Sequence, residues 1–102
     1  MNKQRRNKIK NIINWLEKLT ENDLKSINII KLNIEKVLDE EQDAYDNIPE
    51  NLQYSRRGEE SEEAIDSLQE AYDFLDEINE QMSEEEIENL IDEAIDALDY
   101  IL

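Results

Sequence analysis

Glycine and proline each occur once in 102 residues. A chain with so few breakers has almost no positions that favour tight turns or sheet corners, so it is predicted to fold as a few long helices. The apolar residues agree. They recur at spacings of three and four, the period of one helix face, and not at the alternation of a half-buried strand.

Four helices follow, over about 3–19, 21–46, 59–82 and 84–101. In the first, Ile9, Ile12, Ile13, Leu16 and Leu19 form one apolar stripe, with Trp15 at its edge. Its start carries Lys3, Arg5, Arg6, Lys8 and Lys10, the sign that a helix dipole disfavours there. That turn must therefore fray or be held by acids from elsewhere. Thr20 is the expected N-cap of the second helix, with Asp23 three residues on. Leu24, Ile27, Ile30 or Lys31, Ile34, Leu38, Glu41 and Tyr45 mark its buried face, while Ile29 and Leu32 fall off that face and widen the apolar surface. Such a helix is expected to pack on more than one side. Asn47-Ile48-Pro49 ends it. Pro49 suits the first position of a short turn through Leu52, and residues 53–58 are expected to be irregular, with Gly58 as the position most able to take φ > 0. Ile65, Leu68, Ala71, Tyr72, Leu75, Ile78 and Met82 face the core from the third helix. Ser83 and Glu86 form a capping box that starts the fourth, whose core face is Ile87, Leu90, Ile91, Ala94, Leu98 and Ile101.

The expected fold is all-α: an antiparallel bundle of about four helices in a single domain, 1–102, with basic N-terminal helices over 3–46 and an acidic helical hairpin over 59–102. Apolar residues make up 38% of the chain, below the usual 45–50%, so the core per chain is thin. Together with the wide apolar surface of the second helix, this predicts a homodimer.

Several chemistries are absent by composition. With neither Cys nor His there is no disulfide, thiol, imidazole base or ordinary zinc site, and no Glu-x-x-His di-iron motif. No stretch matches a calcium-binding EF-hand loop, since the lone Gly follows two Arg. No cofactor is expected. No apolar run is long enough to span a membrane, and polar residues interrupt Ile9 to Leu19, which argues against a signal peptide. The expected compartment is the cytoplasm.

Charge is divided along the chain. Residues 1–36 hold nine Lys and Arg against four Asp and Glu, a net +5; residues 37–102 hold two against twenty-four, a net −22. The basic helix is expected to lie against acidic ones. A net charge of −17 opposes direct contact with phosphate or anionic lipid. Arg56 and Arg57, the only cations of the acidic part, are expected to pair with Glu59, Glu60 or Glu62.

The acids themselves are ordered. Glu59, Glu63, Asp66, Glu70, Asp73, Glu77 and Glu80 are spaced 4, 3, 4, 3, 4, 3 and form one line on a helix. The line is roughly 32 Å long, close to one duplex turn of roughly 34 Å. Its neighbours sit about 5–6 Å apart at Cβ, comparable to phosphates on a strand. Six like-charged neighbours at about 0.2–0.5 kcal/mol each disfavour the helix by about 1–3 kcal/mol. Solvation of a surface helix accounts for such a face; so does imitation of phosphate, and the lack of interspersed cations favours the latter. Asp92, Asp96 and Asp99 extend the acidic character to the fourth helix, beside Glu85 and Glu88.

The stretch from Glu40 through Asn47-Ile-Pro-Glu-Asn-Leu-Gln53 and Arg56-Arg-Gly58 to Glu77 resembles a family of small acidic uncharacterised proteins from phages and mobile elements of Gram-positive bacteria. The resemblance covers about residues 40–77 and not the Lys/Asn/Ile-rich start. It implies a setting in which small acidic proteins inhibit host defence nucleases, some by mimicking nucleic acid, as anti-CRISPR or anti-restriction factors do. The expected function is therefore non-enzymatic inhibition of a nucleic-acid-binding protein, one with a basic groove, through the acidic face. Two alternatives stand beside it. One is a structural or assembly adaptor that recognises a partner helix through Ile27, Ile29, Leu32 and Trp15. The other is a magnesium-dependent all-α nucleotide pyrophosphatase of the MazG type, suggested by Glu-x-x-Asp at Glu63–Asp66, Glu70–Asp73 and Glu93–Asp96.

Overall fold

The computed structural model describes residues 1–19 and 24–102. It contains four α-helices, α1 (Lys3–Lys18), α2 (Leu24–Asp46), α3 (Arg56–Asp76) and α4 (Glu84–Tyr100), with a one-turn 3-10 helix, Glu50–Leu52, between α2 and α3. The expected caps of α2, Thr20 and Asp23, lie outside the described residues. Helix α2 packs on α3, α3 on α4, and α1 closes against both α2 and α4. The Cα envelope measures 48 × 20 × 18 Å. Tyr45 bonded to Glu62, and Lys31 bonded to Asp76, set α2 and α3 antiparallel.

Most of the core is the set that periodicity picks out; Val37 and Ala64 are buried in addition, while Ile65 and Leu90 are only half-buried and lie outside the core cluster. Ile9, Leu16, Ile30, Ile34, Leu68, Leu75 and Leu98 are fully buried, and Leu24, Leu38, Ile78 and Ile91 pack half-buried at its edge. Each helix turns one apolar stripe inward, which is what holds an amphipathic helix in place. Helix α2 is no exception: it buries Ile27, Ile30, Ile34, Val37 and Glu41, while Ile29 and Leu32 remain 50% and 57% exposed. Within one chain the expected packing on a second side does not occur.

The start of α1 is held, not frayed. The Asn2 side chain accepts a hydrogen bond from the Arg5 amide at 2.9 Å, a direct N-cap. Its unfavourable cations are met by acids late in α2: Arg5 Nε donates to Glu41 at 2.7 Å and Lys8 Nζ to Glu40 at 2.6 Å. The basic helix thus lies against the acidic part of the chain, at the end of α2.

Three boundaries differ from the spacing-based reading. Helix α3 begins at Arg56, three residues early, with Ser55 in extended conformation at its N-cap. Gly58 therefore sits in the first helical turn with an ordinary negative φ. Its lack of a side chain serves close packing, because a Cβ there would overlap the Gln53 carbonyl. Helix α3 also stops at Asp76, six residues short of Met82. Ile78 and Met82 stay half-buried from the connection, so they keep the helical apolar spacing after the backbone has left the helix. Pro49 caps the one-turn helix and does not open it. Helix α4 starts as expected, with Ser83 accepting from the Glu86 amide at 3.2 Å and Glu84, Glu85 and Glu86 in its first turn, where the dipole favours acids.

Candidate functional site

Helix α3 is oriented by the residues it buries. Ser61, Ala64, Ser67, Leu68, Ala71 and Leu75 point inward. At 3.6 residues per turn, Glu59 and Glu77 lie directly opposite Leu68, and Glu63, Asp66, Glu70 and Asp73 flank that line closely. All of these acids are exposed. Five of the seven predicted row residues, Glu59 to Asp73, stand on the helix over about 21 Å. Glu77 is the C-cap residue and keeps helical φ/ψ, which carries the line one step further. Glu80 is a correction: it belongs to the turn between α3 and α4, so the expected rod of seven is a rod of six, about 27 Å long.

None of the seven takes part in an ion pair among the described residues. Among the described residues the one side-chain bond in the row is Gln69 Nε2 donating to Asp73 at 3.0 Å. Ion-paired cations are used elsewhere. Arg5 and Lys8 meet α2, Lys31 meets Asp76 at 3.0 Å and lies 5.9 Å from the Tyr72 ring centroid, and Arg56 meets Glu60 at 3.1 Å. The last pair is the expected fate of Arg56, whereas Arg57 makes no ion pair among the described residues; Glu60 and Asp76 both lie off the row. Asp92, Asp96 and Asp99 are exposed on α4, with Glu85 and Glu88. At the flank of the row Tyr45 Oη donates to Glu62 at 2.6 Å, and that bond raises the phenol pKa above 10.0, with desolvation and the Glu62 charge adding to it.

The arrangement offers negative charge and hydrogen-bond acceptors in a line. The Glu-x-x-Asp pairs Glu63–Asp66, Glu70–Asp73 and Glu93–Asp96 are exposed, not turned toward a shared interior. Among the described residues no three Asp or Glu side chains are grouped to hold a metal ion. No helix among them is long and apolar enough to cross a membrane.

The second predicted surface is divided by the structure. Ile27 is 5% exposed and belongs to the core, so it is removed from that surface. Trp15, Ile29 and Leu32 stay outside. Beside them a shallow groove of about 310 Å³ runs between α1 and α2, where Ile12, Trp15 and Val37 are flanked by Lys36 and by the Lys8–Glu40 pair.

One polar cluster was not legible in the spacing. Glu41 is 1% exposed, and its carboxylate accepts from Arg5 Nε and from Ser61 Oγ, both at 2.7 Å, with the Met1 amino group 4.0 Å away. Its place on the apolar stripe of α2 marked it as buried, but its partners lie 36 and 20 residues away in sequence. The cluster ties α1, α2 and α3 together. Searches of protein-family models, curated proteins and solved structures give no match to this chain.

Proposed function

We propose that the protein is a non-enzymatic inhibitor that fills the basic groove of a nucleic-acid-binding protein with the acidic row of α3. The observation that carries this reading is the row itself: six outward carboxylates in line, exposed and without ion pairs among the described residues, while the paired cations stand elsewhere. Much of the affinity of such grooves for nucleic acid comes from neutralising phosphates, a sequence-independent term that carboxylates in line are able to supply. Glu59, Glu63, Asp66, Glu70, Asp73 and Glu77 make the contact, with Asp92, Asp96 and Asp99 adding to the field. The resemblance over residues 40–77 suggests a phage-type anti-defence setting in the host cytoplasm, with a CRISPR effector or restriction nuclease as the kind of target. The protein itself touches no nucleic acid and needs no cofactor.

The test is capture of a partner from host lysate. Binding should fall with added salt, and duplex DNA should displace the partner. The variant E63K/D66K/E70K should lose the interaction while far-UV circular dichroism stays helical. Capture undiminished by this triple reversal sinks the proposal.

A second reading draws on the exposed Trp15, Ile29 and Leu32: an adaptor that binds through its apolar face. Its complex would survive high salt, which separates it from the first. The same exposed residues support a homodimer.

A further inference from the structure

The geometry points to α2 as the dimer interface, and we propose that it pairs with α2 of a second copy, antiparallel, about a two-fold axis at Leu32. This deepens the dimer reading given above and rests on it. Leu32 is nine residues from Glu41, about two and a half turns, so it lies directly opposite the deepest part of the α2 core face. Lys25, Asn28, Leu32, Glu35 and Asp39 follow at spacings of 3 or 4 and are all exposed. Ile29 and Lys36 border this strip on the side where Lys36 and Trp15 line the groove with α1.

Charge selects both the occupant and its direction. An antiparallel pair centred on Leu32 brings together residues equally distant from it on opposite sides. Lys25 lies seven before and Asp39 seven after, two turns each way, so each Lys25 meets Asp39 of the second copy. On one side of the seam Asn28 meets Glu35 of the second copy, and on the other Ile29 meets the aliphatic stem of its Lys36. Glu35 and its symmetry mate stay about 9 Å apart along the axis. A parallel two-fold pair would instead set Lys25 against Lys25 and Asp39 against Asp39. Neither Lys25 nor Asp39 has an ion pair within its own chain among the described residues. The acidic row on α3 is not part of this strip, so it stays free in the dimer.

Helix α2 presents a strip about 34 Å long and about 10 Å wide. That is well under the about 800 Å² per partner of a standard stable interface, even with Trp15 at its edge. The dimer is accordingly weak, with dissociation in the micromolar range or above.

Sedimentation equilibrium of the full chain over micromolar to millimolar concentrations tests this, with circular dichroism confirming that each variant is folded. The native protein should show a reversible monomer–dimer equilibrium. K25D and D39K should each weaken it by about tenfold, because two attractions become two repulsions. K25D/D39K should return to within about threefold of native, and L32E should leave monomer only. A native chain that is monomeric at every concentration overturns the dimer reading itself. A dimer indifferent to L32E and to both single reversals leaves that reading intact and overturns the α2 pairing. A double variant no tighter than the singles overturns the antiparallel register. A monomer whose Trp15 fluorescence responds to an acidic amphipathic peptide overturns self-pairing in favour of a foreign occupant.

Discussion

Two sets of glutamates in this protein meet opposite fates. Glu41 is almost completely buried and held by Arg5 and Ser61. Glu63 and Glu70 on α3 are exposed and make no ion pair among the described residues. The chain has 11 Lys and Arg for 28 Asp and Glu, so its cations neutralise only a minority of its acids. The most buried acid takes an arginine, as it must, because a carboxylate withdrawn from water without a partner is strongly unfavourable. Solvent takes over that task on the outer face of α3, and the acids there remain available for contact with another molecule. Structure and candidate function thus draw on one residue type under two dielectric conditions.

The contrast can be broken at its buried end. Arg5→Ala removes the main partner of Glu41 and strands a charge in the core, so stability should fall by about 3–5 kcal/mol. Urea unfolding measures it. A loss below about 1 kcal/mol would mean that water reaches Glu41 and that the cluster is no different from a surface pair.

The exposed end should respond with the opposite sign. E63Q/E70Q removes four of the like-charged neighbour pairs in the row without altering helix propensity, so stability should rise by about 1–2 kcal/mol at low salt. The gain should shrink as salt is added. Destabilisation by this double variant would show that the row is engaged in intramolecular contacts and is not free to meet a partner.

How far this was legible in the sequence depends on range. Single Gly and Pro residues and a steady 3–4 spacing are enough to place four helices and most of their core, from Ile9 to Leu98, but not Val37 or Ala64. Glu41 was recognisable as buried because it continues the stripe of Ile27 and Ile34. Its partners were not, since Arg5 and Ser61 are brought to it only by the packing of three helices. Spacing also overran the end of α3: Ile78 and Met82 fit the apolar period, yet the Ile78 amide bonds to Leu75, three residues back, and the chain turns away. The sequence places Gly58 in a turn because flexibility is the usual reason for glycine; here the reason is the nearby Gln53 carbonyl, which no local pattern reveals. The exposure of Ile29 and Leu32 follows from α2 having only one packed face, a matter of how many helices surround it.

Between the buried and the exposed acids stands Glu62, an exposed carboxylate with one specific donor, Tyr45. That bond is the largest cause of the raised phenol pKa, since ionising Tyr45 would both break the bond and set two negative charges side by side. A group whose folded pKa is raised holds its proton more tightly in the fold than in the unfolded chain. Its contribution to stability is therefore complete below the ordinary phenol value of 10.0 and fades as pH climbs through the higher folded value. Alkaline titration by ultraviolet absorbance should show the Tyr45 transition, isolated as the difference between native protein and Y45F, above 10.0. E62Q should move it down toward that value. If the transition lost in Y45F lies at the ordinary position and E62Q leaves it there, Glu62 is solvated like the row beside it. The boundary between bonded and free carboxylates would then run closer to Glu41.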